Sequence, residues 1–239
     1  MADALATLGG DRFRAIQDRT ETGNAYTFYN SQISGSTRGR FLTRYLIRPE
    51  PPPVAFFGVR EKQILGKDDS YYYLFTENGA WEVTYRGAKP VEADTLIRYR
   101  ESTLHNVLYI LRMRLGEPGL VMESKGKDIL DNQPVENVDI VDSDNRQTSV
   151  SFHMSTKLPV RQTWVRRDPN TRQRFEEVTL FNKFRDVGDG VQWPFQIRRE
   201  RNGEKIFEMF AESITINQGL TDESFTLPAS VKVLDKRAK

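Results

Sequence analysis

The chain has 239 residues, with 35 basic and 33 acidic side chains and a formal net charge of +2. That balance lacks the cationic footprint of a nucleic-acid binder, and an aromatic share of 11% is too rich for a disordered chain. The absence of cysteine excludes disulfides, thiolate metal sites, thiol catalysis and lipid-modified cysteines within the sequence, and no apolar run approaches the roughly 18–20 residues of a membrane span.

Met1 is followed by Ala2-Asp3-Ala4-Leu5-Ala6-Thr7-Leu8, without a basic region or a long apolar stretch. Two readings fit: a cytoplasmic chain, or an exported one whose leader has been removed. Leu5 and Leu8 lie on one face of a helix that Gly9-Gly10 would end. Asp11 is then placed to cap a short second turn carrying Phe13 and Ile16, giving a helical lead-in over residues 3–16. From Gly23 the period changes to two. Residues 25–29 and 40–47 read as strands, and Pro51-Pro52-Pro53 as a stiff connector that cannot donate ladder hydrogen bonds. Residues 54–59 read as another strand. Residues 71–76 and 80–85 read as a hairpin turned at Asn78-Gly79, a pair that tolerates positive φ.

One long helix is predicted from Asp94 to Leu115, with Leu96, Tyr99, Leu104, Val107, Leu108, Leu111 and Leu115 in one stripe. Arg98, Arg100, Arg112 and Arg114 take the other side, and Gly116 and Pro118 stop it. The stripe fits a helix facing the core or a lid over an apolar concavity, and the two are compatible. From Pro134 to about residue 228 the chain reads as a meander of antiparallel strands, with turns such as Ser143-Asp144-Asn145, Lys157-Leu158-Pro159, Asp168-Pro169-Asn170, Gly188-Asp189-Gly190 and Asn202-Gly203. Val150/Phe152/Met154, Val191/Trp193/Phe195/Ile197 and Phe207/Met209/Ala211 mark its dry face. Residues 231–239 read as a last short strand or a frayed end. A sheet this long must curl or close. With one strong helix, a curved sheet wrapping that helix is expected rather than a sandwich, in a mainly β (α+β) fold.

Chemical motifs are sparse. The two histidines, His105 and His153, sit in no H-E-x-x-H motif, and no G-x-S-x-G elbow or phosphate-cradling glycine loop is present. Glu176 and Glu177 are adjacent on a strand, so they point to opposite faces. Asp142-Ser143-Asp144-Asn145 lacks the glycine and distal glutamate of a calcium loop and reads as a turn. Arg161, Arg166, Arg167, Arg172 and Arg174 flank one hairpin in which acids interleave, which reads as a solvated surface. No catalytic residue, cofactor, metal or nucleic-acid partner is expected. The remaining signal is apolar and aromatic. Tyr73, Phe75, Trp81, Leu104, Leu108, Leu111, Phe152, Trp164, Trp193, Phe195 and Phe207 would either line a cavity for an apolar ligand or pack a core.

Three segments in order, Thr156-Lys157-Leu158-Pro159-Val160-Arg161, Gly190-Val191-Gln192-Trp193-Pro194 and Asp222-Glu223-Ser224-Phe225-Thr226-Leu227-Pro228, give the chain a resemblance. The last matches a D-x-x-F-x-L-P ending. Together with the helix–Gly-Gly–helix–strand opening, they resemble the outer-membrane lipoprotein-sorting proteins of the LolA-like superfamily. The resemblance implies a single domain over residues 1–239, built as an unclosed antiparallel β-barrel over helices, with a hydrophobic cavity. It further implies a bacterial periplasmic setting and non-enzymatic carriage of lipid or lipoprotein acyl chains. A monomer is expected, with a possible membrane-protein partner. The alternative is a protein-interaction or envelope-stress sensor module on the same fold, its interior filled by its own side chains.

Overall fold

A computed structural model describes residues 1–50, 56–66, 68–168 and 171–234. Helices α1 (Ala2–Leu8) and α2 (Asp11–Arg14) lead into β1 (Asp18–Tyr29), β2 (Gln32–Tyr45), β3 (Val59–Leu65), β4 (Tyr72–Thr76), β5 (Gly79–Thr84) and β6 (Gly87–Pro90). Then come α3 (Ala93–Leu104) and α4 (Val107–Tyr109), the latter continuing as a π-turn over Ile110–Arg114. Strands β7 (Val121–Leu130), β8 (Gln133–Val141), β9 (Gln147–His153), β10 (Pro159–Arg167), β11 (Arg174–Asp186), β12 (Gln192–Arg201) and β13 (Glu204–Ile216) follow, then a 3-10 turn at Asp222–Phe225.

The thirteen strands form one unclosed antiparallel sheet in the order β6-β5-β4-β3-β2-β1-β13-β12-β11-β10-β9-β8-β7. Two meanders are joined where the first strand meets the last, through pairs such as Glu21 with Ile214 and Ala25 with Met209. This topology puts consecutive strands β6 and β7 at opposite edges. The link between them must therefore cross the sheet, and it carries α3 and α4 over the concave face. Two-residue turns close five of the hairpins. In three of them, Asn30-Ser31, Asp131-Asn132 and Asn202-Gly203, both turn residues have positive φ, the conformation that matches strand twist.

The main core lies inside the curl. Leu8, Phe13 and Ile16 from the N-terminal helices and Val107, Leu108, Ile110, Leu111 and Met113 from α4 and its π-turn pack on Phe152, Phe181, Trp193 and Phe195 of the sheet. Each fully buried side chain of this size contributes roughly 1.5–3 kcal/mol. Two of the sequence segments that carry the resemblance meet here. At Gly9 (φ +121°), a Cβ atom would lie 3.1 Å from Val191 Cα, and Arg12 donates to the Asp189 carbonyl at 2.8 Å. A second core covers the convex side of β3–β5, where Ile64, Tyr72, Leu74 and Val83 pack against Phe225 of the D-x-x-F-x-L-P segment. Asp222 of that segment pairs with Arg44 at 2.7 Å and Arg60 at 2.6 Å.

Several local expectations differ from the observed elements. The helix predicted over 94–115 is broken at His105–Asn106. The Asn106 carboxamide accepts the N–H groups of Leu108 and Tyr109 and restarts the helix, a local competition that spacing alone does not reveal. Arg112 and Arg114 do not face water. Arg112 donates twice to the Ile16 carbonyl, at 2.6 and 3.0 Å, and Arg114 is buried between Glu117 and Asp142. Asp11 is the first residue of α2 rather than its cap. Strand β3 begins at Val59, where the sequence reading ended a strand. Its VREKQIL sequence is polar because it borders ion pairs outside and a polar cavity inside. The meander begins one strand before Pro134, with β7, an edge strand that is almost entirely exposed and so carries no apolar alternation. The hairpin turn is Glu77-Asn78, since Thr76 pairs with Gly79. The triple proline, residues 54–55, the tip of the 168–170 turn and residues 235–239 lie outside the described residues. Val233 makes one bridge to Ala88.

Candidate functional site

Beneath α3 the curl is not filled. A cavity of about 420 Å³ lies between that helix and the inner faces of β1–β3 and β10–β13. Such a volume falls within the usual range for small-molecule sites, at its small end. No residue of α3 is fully buried, so the helix lies across the mouth rather than in the core. Tyr99 is its inward anchor. Its ring stacks on Phe75 at 3.8 Å and meets Phe57 edge-on at 6.0 Å. Burial pushes the Tyr99 phenol well above its ordinary pKa, so the hydroxyl stays protonated, and it has no hydrogen-bond partner among the described residues.

The cavity is amphipathic. Phe41, Phe75, Leu108, Trp164, Phe207 and Met209 supply apolar wall, while arginines and glutamates rise from inward strand positions. On β1, the Arg19 guanidinium lies 4.3 Å over the Trp193 ring and donates to Tyr45 Oη at 3.3 Å and Thr43 Oγ1 at 3.2 Å. Burial opposes its charge, but Tyr45, Glu21 and Glu61 outweigh that and raise its pKa. Glu21, 3.5 Å from Arg19, has its carboxyl pKa raised by burial, with Arg19 opposing. On β11, Glu177 pairs with Arg166 at 3.2 Å and Arg201 at 2.8 Å. On β12, Arg199 faces the cavity over the Phe207 ring, 5.6 Å from its centre. Burial lowers its pKa, with Glu61, Glu177 and Glu21 opposing.

The histidines serve structure. His105 stacks on Trp164 at 4.2 Å and shares a 2.7 Å hydrogen bond with Thr148 Oγ1. Burial lowers its pKa to about 4, which keeps it neutral. His153 Nδ1 accepts the N–H groups of Ser155 and Thr156 in a turn.

Among the residues expected to line a cavity, Phe75, Leu108, Trp164, Trp193 and Phe207 do border it. Tyr73 lies beside Phe75 on the same face but turns to Tyr71, whose hydroxyl it meets at 2.8 Å. Trp81 is on the convex side with the second core. Leu104, Leu111, Phe152 and Phe195 pack in the main core. Sequence reasoning missed the polar lining: Arg19, Glu21, Glu61, Glu177 and Arg199. The signal for one of them was present, because Arg199 continues the inward stripe Trp193, Phe195, Ile197 at the same two-residue spacing.

Among the described residues, no helix is long and apolar enough to cross a membrane, and no cluster of His, Asp and Glu is placed to hold a metal ion. No protein-family model and no curated protein matches the sequence. Solved structures do match the fold. A DUF1329 family protein from Desulfovibrio piger has a TM-score of 0.60 at 11% identity, over 94% of each chain. A putative outer membrane lipoprotein-sorting protein domain from Vibrio parahaemolyticus has 0.58 at 11% identity, over 93% of this chain and 97% of that one. A LolA superfamily protein from Nitrosomonas europaea has 0.57 at 10% identity, over 94% and 97%. The unclosed antiparallel sheet curled over short helices is therefore a LolA-like fold, as the sequence resemblance implied.

Proposed function

We propose that the protein is a non-enzymatic binder of an amphiphile, taking the acyl chain of a lipid or lipoprotein into the cavity beneath α3. The observation that carries this reading is the cavity itself: about 420 Å³ left open between a lightly held helix and an aromatic wall. Each methylene buried there is worth about 0.8 kcal/mol, so a chain is retained without specific chemistry. The fold shared with a lipoprotein-sorting domain supports the same reading and, with it, a place in the bacterial envelope, in the periplasm. The continuous sheet, in which the first strand pairs with the last, supports treating residues 1–239 as one domain.

The placement of the tryptophans provides a test. Trp164 and Trp193 border the cavity, whereas Trp81 lies on the convex side. A bromine-labelled fatty acid should quench the Trp81→Phe variant, which keeps the two cavity tryptophans. It should leave Trp81 emitting in a Trp164→Phe/Trp193→Phe variant. Quenching confined to Trp81 would contradict the reading. So would a titration with no quenching at all, which would favour an interaction module with a closed interior.

A further inference from the structure

Arg199 differs from the other strand-borne arginines around the cavity. Arg19 has Tyr45, Thr43 and Glu21 within 3.5 Å, and Arg166 and Arg201 both pair with Glu177. Arg199 has only the Phe207 ring; among the described residues no carboxylate lies within 4.0 Å and no acceptor takes a hydrogen bond from it. Its side chain is exposed and borders the cavity, and desolvation by the surrounding walls lowers its pKa. Its donors are left free for a ligand that enters the cavity. It follows the apolar Trp193, Phe195 and Ile197 in the inward stripe of β12, with Arg201 after it.

The charges around it favour an anion. The lining includes the guanidiniums of Arg19, Arg98, Arg166, Arg199 and Arg201 against the carboxylates of Glu21, Glu61 and Glu177, a positive balance. Beside Arg199 lie Ile197, Phe207 and Met209, the start of an apolar wall that continues to Phe41 and Phe75. A guanidinium presents a planar fork of donors that matches a carboxylate or a phosphate.

We propose that Arg199 is the head-group anchor of the cavity, and that the ligand is an amphiphile bound with an acidic head, carboxylate or phosphate, against Arg199 and its tail along the aromatic wall. This rests on the reading of the cavity as an acyl-chain site. The head meets Arg199 at the cavity lining, so the protein distinguishes amphiphiles by their charge as well as their tail.

Three probes of equal chain length test this by calorimetry and native mass spectrometry: hexadecanoate, hexadecyl phosphate and hexadecanol. The expected result is that at least one acid binds about tenfold or more tightly than the alcohol, since a hydrogen-bonded charge pair contributes on that scale. The acid that wins identifies the head group. Arg199→Gln should remove this preference while leaving the alcohol's affinity unchanged, and Arg199→Lys, which keeps the charge and loses the fork, should restore part of it. Circular dichroism of each variant checks that it is folded. Equal binding of acids and alcohol, or an acid preference that survives in Arg199→Gln, overturns the anchor and leaves the acyl-chain site standing. Failure of all three probes to bind overturns the acyl-chain site, and the anchor with it.

Discussion

The link that carries α3 and α4 across the sheet ends in a buried ion cluster, and cutting it should loosen the whole crossing. Asp142 Oδ2 accepts from Arg114 at 2.9 Å and Arg146 at 3.0 Å, while Oδ1 accepts the N–H groups of Asp144 and Arg146 at 3.0 and 2.9 Å. Arg114 is 4% exposed and Asp142 2% exposed as side chains. Breaking a buried pair from one side costs about 3–5 kcal/mol. Arg114 keeps its two bonds to Glu117, at 2.7 and 2.8 Å, so Asp142→Ala should fall at the low end, about 3 kcal/mol. For a chain of this length that is a drop of roughly 6–12 °C in Tm. Burial pushes the Asp142 carboxyl pKa up, but the Arg146 N–H and the two guanidiniums outweigh it, so it lies below the ordinary 3.8. A depressed acid pKa means the stabilisation is fully present above about pH 4 and is lost as pH falls through the folded-state value. Urea denaturation of the wild type and Asp142→Ala at pH 7 and pH 3 measures both effects. A difference under about 0.5 kcal/mol at pH 7, or one that does not shrink at pH 3, would refute the reasoning.

Other consequences are open to equally direct checks. His105 is held neutral with a pKa of about 4 against an ordinary 6.5. The unfolded chain therefore binds the extra proton between these values, and stability should fall by about 3 kcal/mol as pH drops from 6.5 to 4; an NMR titration placing the His105 pKa near 6.5 would contradict this. Asn106→Ala removes the cap that restarts the helix after the break and should cost about 1 kcal/mol in urea denaturation, so an unchanged midpoint would show the cap to be idle. Gly9→Ala must hold φ near +121° and place a Cβ 3.1 Å from Val191, so it should destabilise by more than about 1 kcal/mol, and a neutral or stabilising effect would mean that the first helix packs elsewhere. Leu108 is 3% exposed, and Leu108→Asp should unfold the protein or abolish ligand uptake; a folded variant with full uptake would place that face in solvent.

Residues that obey a single period made the architecture legible. The stripe Val191/Trp193/Phe195/Ile197 and the run of turns in the second half pointed to a curled antiparallel meander, which is what the sheet order shows. The polar edge strand β7 was invisible because an exposed edge has no dry face to write into the sequence. The helix break at Asn106 was missed because the apolar stripe runs straight through it, and only the asparagine's bonds to Leu108 and Tyr109 reveal the restart. At the candidate site the aromatic side chains were easy to nominate, but the sequence does not distinguish a wall from a core. Phe75 and Phe207 border open space, while Phe152 and Phe195 are buried in the main core. The charged lining was overlooked for a related reason. An arginine at an inward strand position reads as a surface residue until the curl of the sheet turns it inside.

The central claim is that the space beneath α3 receives an amphiphile. Native mass spectrometry of the protein purified from a bacterial host, followed by solvent extraction of whatever dissociates, tests it most directly. The account predicts a co-purified species whose mass and extraction identify a fatty acid, phospholipid or related acyl compound, and its displacement by added hexadecanoate. A clean mass for the protein alone, together with no uptake of an added fluorescent lipid analogue, would contradict it.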